Sequence, residues 1–171
     1  MLLYVRMDID QHIRRNDLKR YALQCGLAGS VVLLLLLVLD TVTQTVLIAS
    51  LGASAFIAFA VPRSKLSGHR HMIGGYVVGI VAGVVMASLN NWFDPPGGWD
   101  HAAMVVFGAL AISFAMLLMV ITRTEHPPAA ALALGLVLNE WDLMTLLVVF
   151  AGVVFLSVIK RLVLPVLLDL V

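Results

Sequence analysis

The sequence predicts an all-α membrane protein, a bundle of about six membrane segments, and three observations predict it. The first is composition: 61% of the 171 residues are hydrophobic, 12% are charged and mean hydropathy is +1.03. Soluble domains run at roughly 45–50% apolar and about 25% charged. A soluble globular domain, a disordered chain and a disulfide scaffold are thereby excluded. The second is that the apolar residues fall into six runs separated by short polar connections. The third is that all eleven Lys and Arg residues fall in alternate connections. The net charge of +1 gives no footprint for a nucleic-acid partner.

The segments read Tyr21 to Leu39, Thr41 to Val61, Met72 to Leu89, His101 to Thr122, Pro127 to Leu138 and Leu143 to Ile159. Before them, residues 1–20 are mixed apolar and charged, and read either as an amphipathic helix on the inner membrane surface or as a basic tail. The first segment is not a cleaved signal peptide: Asp8, Asp10 and Asp17 precede it and no small-residue cleavage site follows. Its single cysteine, Cys25, reads as a small hydrophobe. A hydrocarbon core needs about 20 helical residues. The fifth segment, with 12, spans about 18 Å as helix, so part of its crossing must be non-helical backbone. The domain outline is an N-terminal segment 1–20, a membrane domain 21–164 and a tail 165–171.

Arg6, Arg14, Arg15, Lys19 and Arg20 precede the first segment; Arg63, Lys65 and Arg70 follow the second; Arg123 follows the fourth; Lys160 and Arg161 follow the sixth. Six crossings put every one of them on one side, which the positive-inside rule makes cytoplasmic, with both termini there. The expected location is a bacterial inner membrane. Trp92, Trp99 and Trp141 all fall at outer ends, the interfacial position tryptophan prefers. The turn-rich stretch from Asn91 to Trp99 divides the chain into halves of three segments. Three crossings per half is the arithmetic of an inverted repeat. Val42-Thr43-Gln44-Thr45 and Ile121-Thr122-Arg123-Thr124 precede corresponding segments.

In that reading the second and fifth segments are interrupted, and their meeting point is the substrate pathway. Gly52, Ala53 and Ser54 permit close backbone approach in the second. Pro127, Pro128 and Ala129 open the fifth, where proline suits the first helical turn and the helix start attracts an anion. Arg123, Glu125 and His126 immediately before it are costly near a membrane and therefore functional candidates. Arg123 supplies positive potential, His126 donates a hydrogen bond or carries a proton, and Glu125 balances Arg123 or couples a proton. The alternative is a plain inner loop in which Arg123 and Glu125 pair in water. His126 must be extended, because proline follows it. Arg63, Lys65 and Arg70, with His69 and His71, form a basic inner loop that sets topology or concentrates anions at the inner mouth. His69 and His71 lack Cys or acidic company, so no metal or cofactor is expected. Gly75, Gly79 and Gly83 line a stripe for a neighbouring helix, in this chain or another subunit.

His126-Pro127-Pro128-Ala129-Ala130 resembles the signature of the HPP family of integral membrane proteins. Gly52-Ala53-Ser54-Ala55 with Phe59 and Pro62, and Met72-Ile73-Gly74-Gly75, resemble two further stretches of that family, in order, over about residues 45 to 160. The resemblance implies a small membrane protein, with some plastid and cyanobacterial members linked to nitrite transport. It also implies four membrane helices, where the runs here number six. Some bacterial members add a C-terminal CBS region; none is expected before Val171. The expected function is a transporter or channel for a small inorganic anion, nitrite first, with the lipid bilayer as partner and a homo-oligomer suited to so small a bundle. The rivals are a non-transporting scaffold using the glycine stripe, a membrane enzyme using Glu125 and His126, and a cation pathway. The last lacks acidic residues at the centre of any span.

Overall fold

The computed structural model describes residues 15–38, 45–93 and 100–170. These form six helices: α1 (Arg15–Val38), α2 (Thr45–Ala60), α3 (His69–Trp92), α4 (Asp100–Thr122), α5 (Pro127–Leu138) and α6 (Leu143–Val163). A 3₁₀ turn at Lys65–Ser67 joins α2 to α3, and another at Leu164–Val166 follows α6. No strand occurs among the described residues. Among the described residues, three spans are long and apolar enough to cross a membrane: His69–Trp92, His101–Thr122 and Leu143–Val166. Large apolar side chains such as Phe56, Leu117, Val120 and Leu147 point outward, as hydrocarbon surroundings require.

α5 is the axis of the bundle. It packs on α2, α3 and α4, while α6 covers α2 and α3 and α1 lies outside α2. Eight of its twelve residues are buried. So short and apolar a helix holds its place because its neighbours fit it closely. A Cβ on Gly79 would stand 2.3 Å from the carbonyl oxygen of Ala129, and one on Gly83 would stand 2.9 Å from the Cα of Ala133. On Gly75 it would stand 2.6 Å from the Cβ of His126. The glycine stripe of α3 is therefore the groove that seats α5 of the same chain, which decides between the two partners the sequence leaves open.

Several expectations change. α1 begins at Arg15, so the first helix starts ahead of residue 21; Met1 to Arg14 lie outside the described residues. His69, Arg70 and His71 form the first turn of α3 rather than a loop, because Gly68 caps the helix just before them. Gly52 does not interrupt α2, which is continuous from Thr45 to Ala60. A single helical glycine costs only about 1 kcal/mol, too little to break a helix packed on its neighbours. Val42, Thr43 and Gln44, Asp40 and most of the Asn91–Trp99 turn region also lie outside the described residues, Trp99 among them.

Candidate functional site

Residues 119–128 carry the chain from α4 into α5. α4 ends with Arg123 in the left-handed region, φ 55°. The Arg123 N–H donates to Val120 O (3.3 Å) and the Thr124 N–H to Met119 O (2.9 Å). That is the Schellman ending, which normally uses glycine for this φ. The reversal points Thr124 and His126 inward. His126 is extended, φ −148° and ψ 95°, as its proline neighbour requires. α5 then starts without two of its N–H donors, and the Ala129 N–H donates to His126 O (2.9 Å). The helix start thus offers its dipole to an anion but few open donors.

His126 is 1% exposed and meets Ser54 of α2, which is wholly buried: Nε2 and Oγ are 2.8 Å apart. Ser54 Oγ lies 2.9 Å from the hydroxyl of Tyr76, whose O–H donates to Ser50 Oγ at 3.2 Å. The tyrosine ring stands 5.8 Å from the imidazole, centroid to centroid. The other ring nitrogen, Nδ1, donates to Leu66 O in the 3₁₀ turn (3.1 Å). The next carbonyl, Ser67 O, accepts from the buried Lys160 Nζ (3.0 Å). Ser67 Oγ donates back to Pro62 O (2.7 Å) and Ser64 O (2.8 Å). The inner loop is thus folded on itself and held from beneath by His126 and Lys160. Beside His126 a cavity of about 430 Å³ opens between α4 and α5, walled by Ile112, Met116, Met119, Ala130 and Ala131, with Glu125 at its rim.

Of the residues singled out from sequence, Ser54, His126, Pro128 and Ala129 come together. Ala53 is exposed on the outer side of α2, and an added side-chain carbon at Gly52 meets nothing within 4 Å. Arg123 is exposed, and Glu125 lies against His71 of α3 at 3.4 Å rather than against Arg123. The left-handed turn at Arg123 separates the two side chains. Pro127 is exposed at the cavity rim. Arg70 donates to Thr122 O (2.9 Å), on the negative end of α4. Arg63 pairs with Asp169 (3.8 Å), and Lys65 is exposed. Cys25 is exposed on α1.

The sequence marks Lys160 for topology alone and gives Tyr76, Ser50 and Gln24 no role. Tyr76 sits inside the glycine stripe, next to Gly75, where a lone hydroxyl among small residues was the available signal. The amide of Gln24 donates to Phe59 O and to Leu168 O (2.6 Å) and accepts from the Leu168 N–H (3.0 Å). The Leu170 N–H donates to Ala60 O (2.8 Å). Residues 165–170 are therefore docked on the bundle rather than trailing from it. These contacts gather α1, the inner loop, the ends of α2, α4 and α6 and the tail at one end of the bundle, where the basic residues from Arg20 to Arg161 also lie.

A polar knot of imidazole and hydroxyls at the axis of an apolar helical bundle defines a polytopic membrane protein with a built interior site. Residues 14–167 match the transmembrane region of the HPP family, and the chain belongs to that family. Two transmembrane proteins of Dictyostelium discoideum are similar. One is 39% identical over 90 residues, covering 52% of this chain and 29% of its own length. The other is 32% identical over 94 residues, covering 54% and 28%. The chain thus matches less than a third of the length of these relatives. No solved structure matches.

Proposed function

We propose that the chain conducts or transports a small inorganic anion, nitrite being the first candidate, across a bacterial inner membrane with both termini cytoplasmic. The observation that carries this reading is the 2.8 Å contact between His126 and Ser54. It joins α2 to the start of α5, at the positive end of a helix that begins inside the bundle. Membership of the HPP family supports the choice of nitrite, because some members are linked to its transport. Arg123, exposed at the inner surface, adds potential there and makes no contact with the site. Glu125 lies against His71 rather than His126, which weighs against the acid–base pair of the enzyme reading. The glycine face on which a scaffold role would rely is filled by α5.

The test is anion flux into liposomes holding only this protein, comparing nitrite, nitrate, formate and chloride against empty liposomes. Protein-dependent flux selective among these ions is the expected result. Flux no greater than the empty control for all four would sink the reading.

A further inference from the structure

Proton counting around His126 leads further. A carbonyl oxygen only accepts, so the contact with Leu66 O fixes a proton on Nδ1. Tyr76 has one hydroxyl proton, and it is given to Ser50. The Tyr76–Ser54 contact then needs the proton of Ser54. With that proton used, the Ser54–His126 contact needs a proton on Nε2. This arrangement therefore holds an imidazolium. A second arrangement keeps every heavy atom in place: Tyr76 withdraws its O–H from Ser50 and turns it to Ser54, and Ser54 turns its O–H to an unprotonated Nε2. The ring is then neutral. The Tyr76–Ser54 and Ser54–His126 contacts are filled in both states, and each hydroxyl proton stays on its own oxygen. Only one proton is gained or lost, at Nε2.

The surroundings decide what must accompany that proton. From α2 the ring faces only hydroxyls, and from the inner loop a carbonyl. From α3 it faces Tyr76 and, further out, His71, which lies against Glu125. The α4 and α5 walls of the adjoining cavity are apolar, and Glu125 stands at its rim. No carboxylate is hydrogen-bonded to the imidazole among the described residues. A buried charge without a partner is costly, whether it is an imidazolium or an anion. Together the two compensate.

We propose that an anion and one proton bind jointly at His126, so that the protein moves them as an electroneutral pair. This rests on the anion reading above, and makes the proton a co-substrate taken at Nε2 from one side and released with the anion on the other. The opposing signs make the two bindings mutually favourable, by linkage.

The experiment uses the full chain in liposomes with nitrate and chloride as probes, a pH dye inside and the membrane potential clamped with potassium and valinomycin. The expected result is about one proton entering per anion. Influx should rise by more than tenfold when the outer pH falls from 8 to 6 and should be indifferent to the clamped potential. Anion flux that follows the potential and carries no proton would overturn this inference and leave the anion reading standing. Absence of flux of these two anions, together with absence of nitrite and formate flux in the four-anion assay, would overturn both. Tyr76→Phe removes the acceptor for the Ser54 proton, so it should displace the pH profile of influx to lower pH. Ser50→Ala, the smaller change, should displace it in the same direction should Tyr76→Phe fail to insert. A transporting variant with an unmoved profile would overturn the role of the hydroxyl chain.

Discussion

At its inner end α5 meets polar side chains that are buried and mutually hydrogen-bonded: His126 to Ser54 and Leu66, Tyr76 to Ser54 and Ser50. At its outer end it meets a polar cavity of about 640 Å³, lined by Ser88, Asn90, Asn91, Asn139, Glu140 and Trp141. There the buried Oδ1 of Asn90 has no hydrogen-bond partner among the described residues. The dipole of α5 is positive at the closed end and negative at the open one. Asn139 closes the open end, its backbone and side-chain N–H groups donating to Gly135 O (3.1 and 2.8 Å). The inner end is a fully specified lock, and the outer end is a vestibule. An α5 of about 18 Å (about 1.5 Å per residue) separates the polar cavity from the imidazole.

The contrast breaks most completely at Gly79, since both ends depend on the seating of α5. Gly79→Val should cost about 3 kcal/mol or more, because the new Cβ would collide with backbone that cannot yield. Loss of the monodisperse peak in detergent checks it, with Gly52→Ala as the control that stays folded. Removing one link of the lock is the next largest change. Ser54→Ala should cost about 1–3 kcal/mol by leaving a buried imidazole nitrogen and a tyrosine hydroxyl short of a partner. Thermal unfolding in detergent reads it, and an unchanged melting temperature would refute the buried network.

Arg123→Gly should stabilise by about 1 kcal/mol, relieving a side chain held at positive φ. The same substitution should lower anion uptake, because the inner surface loses a charge. At the outer end the sign also reverses: Asn90→Leu should stabilise by up to about 1 kcal/mol, since no hydrogen bond to Oδ1 is lost. A destabilised Asn90→Leu would show that the vestibule is as tightly specified as the lock.

The smallest effect belongs to Asp142, the exposed cap of α6. The hydroxyl and then the N–H of Thr145 donate to its carboxylate (2.6 and 2.7 Å) and hold its pKa below the ordinary 3.8. The folded state therefore prefers the ionised cap. Its contribution is complete above the ordinary carboxyl range and is lost as pH falls through the lowered value. Asp142→Ala should remove that acid dependence from the melting curve, and Asp142→Asn should keep the cap without it.

The helices were legible because the bilayer leaves few alternatives to them. α5 was readable to the residue, since Pro127 and Asn139 mark its ends and apolar residues fill it. The meeting of Ser54 with His126 was legible as a juxtaposition of two unusual segments. What was not legible is which face each residue takes. Ala53 and Ser54 are neighbours in sequence, yet one faces outward and the other is buried, because successive helical residues lie about 100° apart. The pairing of Glu125 with His71 was hidden for another reason: the left-handed turn at Arg123 sets the direction of everything after it, and nothing but a glycine would have announced that turn. Lys160 looked like a topology signal, and its inward aim depends on the three-residue spacing from buried Ser157.

The docked C-terminal segment has a consequence for biogenesis. Gln24, in α1, is tied to Leu168, which is synthesised 144 residues later. Contacts of such high sequence separation form late in folding. α1 must therefore wait in the membrane, the amide of Gln24 without its Leu168 partners, until Leu168 has been made. A nascent chain stalled before Leu168 should expose α1 to insertion chaperones and membrane proteases that the finished chain evades.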